Sequence, residues 1–210
     1  MRTVSTTAAR LARARDYPYD FPRQSFVYRD QGPAEFRPEL TRGRTPVLAF
    51  GSNQSPLQLA RKFGHDASHE IPVQRARLRD FDVVYSAHIT SYGAVPAMLQ
   101  HTPGACVELA VTWLDDAQLA IMHDSETRAA NYVFAGFDNI RLELQEGPVT
   151  ETAFAYVGQH GQLTEAGEGL ALADVTCDKR PHRPVTTGEA LELIRARIAP
   201  DHSPDAFVLA

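Results

Sequence analysis

Residues 47–63 read VLAFGSNQSPLQLARKF. Val47–Phe50 has the length and bounded apolarity of a buried strand. Leu57, Leu59, Ala60 and Phe63 then give the second half an apolar face suited to a short helix. Pro56 fits the first helical turn, where no backbone N–H is needed, and Ser55 or Asn53 can cap it. Between strand and helix lies Gly51-Ser52-Asn53. A strand turning there into a helix N-terminus gathers unpaired N–H groups at one point, and such a point suits an anion. An ordinary strand–helix connection, with Gly for the turn and Asn for the cap, uses the same residues.

Working outward, the N-terminal side is less regular. MRTVSTTAARLARAR lacks acids and predicts a short, frayed helix, without the apolar core and cleavage site of a secretory leader. Residues 16–45 are rich in Pro, Arg and aromatics and predict an irregular arm, with one extended piece at Gln24–Tyr28. Tyr17, Tyr19, Phe21, Phe26 and Tyr28 suit water poorly, so the arm is expected to lie against the main domain.

On the C-terminal side, strands are expected at Arg77–Ser86, Ala94–Gln100 and Cys106–Trp113, with Thr102-Pro103-Gly104 turning the chain between the last two. Asp115-Asp116 caps a short helix from Ala117 to about His123. Asn131–Gly136 is a further strand. Ile140–Leu144 and Thr152–Val157 predict a β-hairpin, and Thr187–Ile198 a helix capped by Thr186 or Thr187. Many short strands with few helices indicate an α+β fold: a small mixed β-barrel with flanking helices, because closure removes exposed edges. Two packed sheets satisfy the same pattern. The expected division is 1–45 arm, 46–160 barrel domain, and 161–210 extension with one helix.

With 210 residues, 43% of them hydrophobic, the chain can bury a proper core. A net charge of −5 argues against a broad nucleic-acid surface, and no apolar stretch approaches a membrane span. Cys106 and Cys177 are isolated, as expected of a cytoplasmic protein without a disulfide framework. There is no G-x-S-x-G, no phosphate-binding G-x-x-x-x-G-K-[ST], no H-E-x-x-H and no C-x-x-C. His65 and His69 form the one i, i+4 histidine pair, in a stretch that reads as a loop; no metal site and no cofactor are expected.

What remains is IMHDSETRAANYVF, where Glu126 precedes a strand containing Tyr132. Taken singly, such a Glu is a solvated surface group, and Asp124 ends a helix. Order along the chain adds weight. Phe50-Gly51-Ser52-Asn53, Gly93-Ala94-Val95-Pro96, an alternating strand, a short helix, Met122-His123-Asp124-Ser125-Glu126 and Tyr132 follow one another. This series resembles the γ-glutamylcyclotransferase-like superfamily, whose opening strand ends Y-G-S-N and whose helix delivers L-D-x-x-E before a downstream Tyr. The resemblance covers about residues 46–158 and marks the chain as a divergent, bacterial-type member. Phe50 replaces the Tyr, His123 stands where Asp is usual, and Thr127 where Gly is common.

The resemblance implies a fold and a reaction. In that family the free α-amine of a γ-glutamyl group attacks its own γ-carbonyl, giving 5-oxoproline and releasing an amine. No protein nucleophile or cofactor is needed. Glu126 is then the general acid/base, served best by a carboxyl raised toward neutrality in a dry pocket. Backbone N–H groups of Gly51, Ser52 and Asn53, with Phe50 beside them, hold the substrate, and Tyr132 and, on weaker grounds, Tyr85 are hydrogen-bond donors to it. Tyr85 reads equally as a buried core aromatic. The replacements at His123 and Thr127 allow a second outcome, an inactive binding module on the same scaffold.

Overall fold

Two long strands organise the chain in a computed structural model that describes residues 2–29, 32–64, 69–127 and 130–210. The N-terminal part holds α1 (Arg2–Arg15), β1 (Phe26–Arg29), β2 (Gly32–Glu35), β3 (Thr45–Ala49) and α2 (Pro56–Phe63). The middle holds β4 (Ile71–Tyr85), β5 (Ala97–Leu114), α3 (Asp116–Thr127), β6 (Tyr132–Phe137), β7 (Leu142–Leu144), β8 (Val149–Thr150) and β9 (Ala153–Gly158). The C-terminal part adds β10 (Thr164–Glu165), β11 (Glu168–Leu172), β12 (Cys177–Asp178), β13 (Arg183–Val185), α4 (Thr187–Ile198) and α5 (Pro204–Leu209).

All thirteen strands join one mixed sheet whose main path runs β10-β11-β4-β5-β3-β9-β6. The α+β class holds, but the expected barrel does not. Among the described residues no ladder joins β10 to β6, so the sheet stays open. The reason lies in β4 and β5, 15 and 18 residues long. They pair antiparallel, and their outer edges are covered piecemeal by short strands. β4 takes β1 at Ile71–Val73, β7 at Ala76–Leu78 and β11 at Val84, while β5 takes β12 and β3. Short strands protect those edges, so closure is not needed to remove them.

Three expectations are corrected here. Thr102-Pro103-Gly104 does not reverse the chain. It lies inside β5, where the register passes from Arg79↔Cys106 to Phe81↔His101 across an irregularity. Asp80, at φ 63°, accepts the Gly104 N–H at 2.7 Å and holds the bulge. The hairpin expected between Ile140–Leu144 and Thr152–Val157 forms instead between β7 and β8, whereas β9 pairs with β6 and β3. Finally, the extended piece expected at Gln24–Tyr28 is present as β1, which joins the sheet and pairs with β2, but residues 161–210 hold two helices and four strands rather than one helix.

Local sequence explains the helices around the site. Ser55 caps α2 by accepting from Leu57 N at 3.2 Å, Pro56 fills the first turn, and Gly64 closes the last at φ 69°. The helix after Asp115 runs on to Thr127, past the expected end at His123, with Asp115 Oδ1 accepting from Gln118 N at 2.8 Å. Thr186 and Glu189 form a reciprocal capping box on α4. One apolar cluster fills the centre of the sheet around Leu78, Leu109, Val111 and Leu170. A second, with Leu59, Phe63, Val73 and Met122, seats α2 and α3 on the sheet. α1 packs on α5, where Arg10 donates to the Leu209 carbonyl at 3.0 Å and Arg15 pairs with Asp205. None of the helices among the described residues is long and apolar enough to cross a membrane.

Candidate active site

A cavity of about 520 Å³ opens where the β3–α2 turn, the end of α3, the start of β5 and the C-terminal end of α1 meet. Phe50, Gly51, Ser52, Asn53, Glu126 and Tyr132 all line it. After Ala49 the chain makes a 3-10 turn over Ser52–Gln54. Gln54 N donates to Gly51 O at 3.3 Å and Ser55 N to Ser52 O at 2.9 Å. The N–H groups of residues 51–53 stand at the open start of that turn, without a partner inside it. Because Ser55 takes the capping role, the Asn53 side chain is released. Its Nδ2 donates to Glu126 Oε1 at 2.9 Å.

Glu126 reaches the cavity from the last turn of α3. Gln118, Met122 and Glu126, four residues apart, share the inward face of that helix. Lys62, in the last turn of α2, forms an ion pair with the same carboxylate. The side chains are 7% and 17% exposed, so water screens the pair poorly. Burial by itself would raise the Glu126 carboxyl. The Lys62 ammonium and the hydrogen bonds from Lys62 and Asn53 outweigh it, and the group sits below its ordinary value. This reverses the expected raised carboxyl: burial acts in the expected direction, but the pocket brings its own cation.

Two tyrosines clamp the backbone of one residue, Ala97. Tyr132 donates its hydroxyl proton to Ala97 O at 3.0 Å, and Tyr17 accepts from Ala97 N at 2.8 Å. Tyr132 therefore presents lone pairs to the cavity, not the donor that was expected. Its phenol is raised by burial and by Glu126 and stays protonated. Tyr17 still has its own proton to give. Its hydroxyl occupies the space a Cβ would need at Gly51, 2.3 Å away, which is why that position takes glycine. Gly93 is the other constrained glycine. At φ 92°, with the Val208 carbonyl 2.4 Å from a built Cβ, it seats the 93–96 segment against α5; that segment is extended loop and not strand.

Tyr85 lies elsewhere. It is fully buried, bonded to Val185 O at 3.3 Å and Thr187 Oγ1 at 3.1 Å, and it does not line the cavity. It is the core aromatic of the alternative reading. His123 does not line the cavity itself but stands behind Tyr156, which does, its Nδ1 at 2.9 Å from the Tyr156 hydroxyl, and Thr127 donates back to the His123 carbonyl at 2.8 Å. His65 lies outside the described residues. His69 packs its ring on Phe63, and no metal-holding group of His, Cys, Asp or Glu occurs among the described residues.

Sequence reasoning missed Lys62, Tyr17, Arg13, Arg61, Tyr92 and His88, all of which line the cavity. His88 is held neutral, its value pushed down to about 4 by burial and by the neighbouring His160. No local signal marked the missed residues: a basic residue at the position of Lys62, in the last turn of α2, suits the helix dipole by itself.

Neither a protein-family model nor a curated protein sequence matches this chain. Among solved structures, it is similar to a gamma-glutamyl cyclotransferase at 20% identity, covering 65% of this chain and 68% of that one with a TM-score of 0.43. It is similar to the human protein loc79017, described as uncharacterized, at 19% identity, 65% and 68% coverage and a TM-score of 0.42. YkqA from Bacillus subtilis follows at 13% identity, 66% and 58% coverage and a TM-score of 0.42.

Proposed function

We propose that the chain cyclises a γ-glutamyl compound to 5-oxoproline and releases an amine, without a cofactor. The observation that supports this most is the convergence of the 51–53 turn and Glu126 on one small-molecule cavity, joined by the 2.9 Å bond from Asn53 to Glu126. The ordered motifs around them support it in the same direction.

In this reading the α-ammonium of the substrate sits against Glu126 and loses a proton to it. The freed amine nitrogen bonds to the γ-carbonyl carbon. The carbonyl oxygen gains negative charge, held by N–H groups of residues 51–53 and by the Tyr17 hydroxyl. Glu126 passes that proton to the leaving nitrogen and takes the second proton of the ring nitrogen. Collapse breaks the bond from that carbon to the leaving nitrogen, and the freed amine takes the proton from Glu126 and departs as an ammonium. Holding amine and carbonyl near contact in a bent substrate supplies a rate gain on the order of several kcal/mol.

Lys62 sets a condition. An ordinary α-amine and an ordinary carboxyl already differ by about 3.5 pKa units, or about 5 kcal/mol, and the ammonium on Glu126 widens that gap. The arriving substrate ammonium competes with Lys62 for the same carboxylate, and turnover requires Lys62 to yield. The ion pair is also the observation that favours a second reading, a binding module whose acid is permanently neutralised. Incubation with γ-glutamyl dipeptides and γ-glutamylamines, followed by detection of 5-oxoproline, separates them. Product formation supports the enzyme; ligand binding without product supports the module.

A further inference from the structure

We propose that Arg13 of α1 and Arg61 of α2 form a second anion subsite in this cavity, which holds a carboxylate on the leaving-amine side of the ligand. The substrate identity rests on the reading above; the subsite itself does not. Both arginines line the cavity. Each guanidinium lies over a tyrosine ring: the Arg13 Cζ is 4.0 Å from the Tyr92 ring centre and the Arg61 Cζ is 4.4 Å from that of Tyr19. The Tyr19 hydroxyl donates to the Arg13 carbonyl at 3.0 Å, which ties the two stacks into one wall.

Stacking fixes the plane of a guanidinium and leaves its edge N–H groups to face a ligand. Neither arginine has a carboxylate partner among the described residues, and the Arg13 Nε is buried without a hydrogen bond there. Of the other charges in the cavity, Lys62 and Glu126 neutralise each other, and Asp124 has an interaction of its own. Two cations without a carboxylate partner among the described residues remain in the cavity; Arg61 is exposed, whereas Arg13 is half-buried and its unbonded Nε gains most when an anion arrives. The planar forks match a carboxylate. A neutral or cationic leaving group gains nothing from them.

The test uses two non-cyclisable ligands, N-glutarylglycine and N-glutaryl ethylamide, which differ at the carboxylate. Their affinities are measured by calorimetry on the whole protein. The wild type is expected to prefer N-glutarylglycine by about tenfold or more, the worth of one charge-assisted hydrogen-bond pair. Arg61→Met, on the exposed side of α2, and Arg13→Met should each shrink that preference severalfold, with Arg13→Lys restoring it in part. Unchanged preference in both methionine variants, no preference in the wild type, or no binding of either compound overturns the subsite. 5-Oxoproline release without any preference overturns the subsite and leaves the cyclisation standing. Preference lost in the variants without 5-oxoproline release supports the subsite and removes the cyclisation.

Discussion

Lys62 and Glu126, one from each of two neighbouring helices, form an ion pair inside the cavity that the Gly51–Asn53 turn opens onto. That pair decides how the acid behaves. It holds the carboxyl below its ordinary value where burial alone would raise it, and it places a competitor in the position a substrate ammonium needs.

Lys62→Met removes the competitor. Burial is then opposed by Asn53 alone, so the Glu126 carboxyl moves up. The acidic limb of kcat/KM, which reports deprotonation of the free enzyme, should shift to higher pH than in the wild type. The stability consequence has the same origin. A carboxyl lowered on folding stabilises the native state above its unfolded value and loses this as pH falls through the folded value. The variant should lose part of that contribution at neutral pH and approach the wild type in acid, as read from melting curves. Equal pH profiles for the two proteins would contradict the assigned role of Lys62.

Gly51→Ala brings a Cβ to 2.3 Å from the Tyr17 hydroxyl oxygen. Overpacking of this kind costs about 1–3 kcal/mol, measurable by urea unfolding. In a Tyr17→Phe background the clash is relieved, so the same substitution should cost clearly less. Additive losses in the double-mutant cycle would mean that the two residues do not meet.

Asp82 is fully buried beneath Arg180 and His182. Arg180 donates to it at 3.1, 3.1 and 2.9 Å, and the His182 ring nitrogen stands at 3.1 Å. Asp82→Ala leaves the Arg180 guanidinium without its carboxylate, with only the Val175 and Leu172 carbonyls as partners, and should destabilise the protein by about 3–5 kcal/mol in urea unfolding. A loss below about 1 kcal/mol would show that the clamp opens readily to water.

What could be read from the sequence was local. The β3–turn–α2 unit follows from Val47–Ala49, Ser55 and Pro56, and the α4 capping box from Thr186 and Glu189, each acting within a few residues. Alternation over Cys106–Trp113 marked the second half of β5. Partner choice was not legible, because pairing depends on distant chain. Thr102-Pro103-Gly104 has the composition of a reversal, and only Asp80 on the neighbouring strand makes it a bulge. β7 takes the nearer β8 as its hairpin partner, which leaves β9 to pair with β6 and β3. In the site, Glu126 and Asn53 stood out by the order of their motifs. Lys62 did not, since a basic residue in the last helical turn already suits the helix dipole and signals no partner.

The most direct measurement is 5-oxoproline release from a γ-glutamyl compound by wild type and by Glu126→Gln, with folding of the variant verified by its melting transition. Glutamine keeps the Asn53 contact but cannot carry the proton. The account predicts a fall in kcat/KM of about a hundredfold or more. Equal release by a folded Glu126→Gln protein would contradict it.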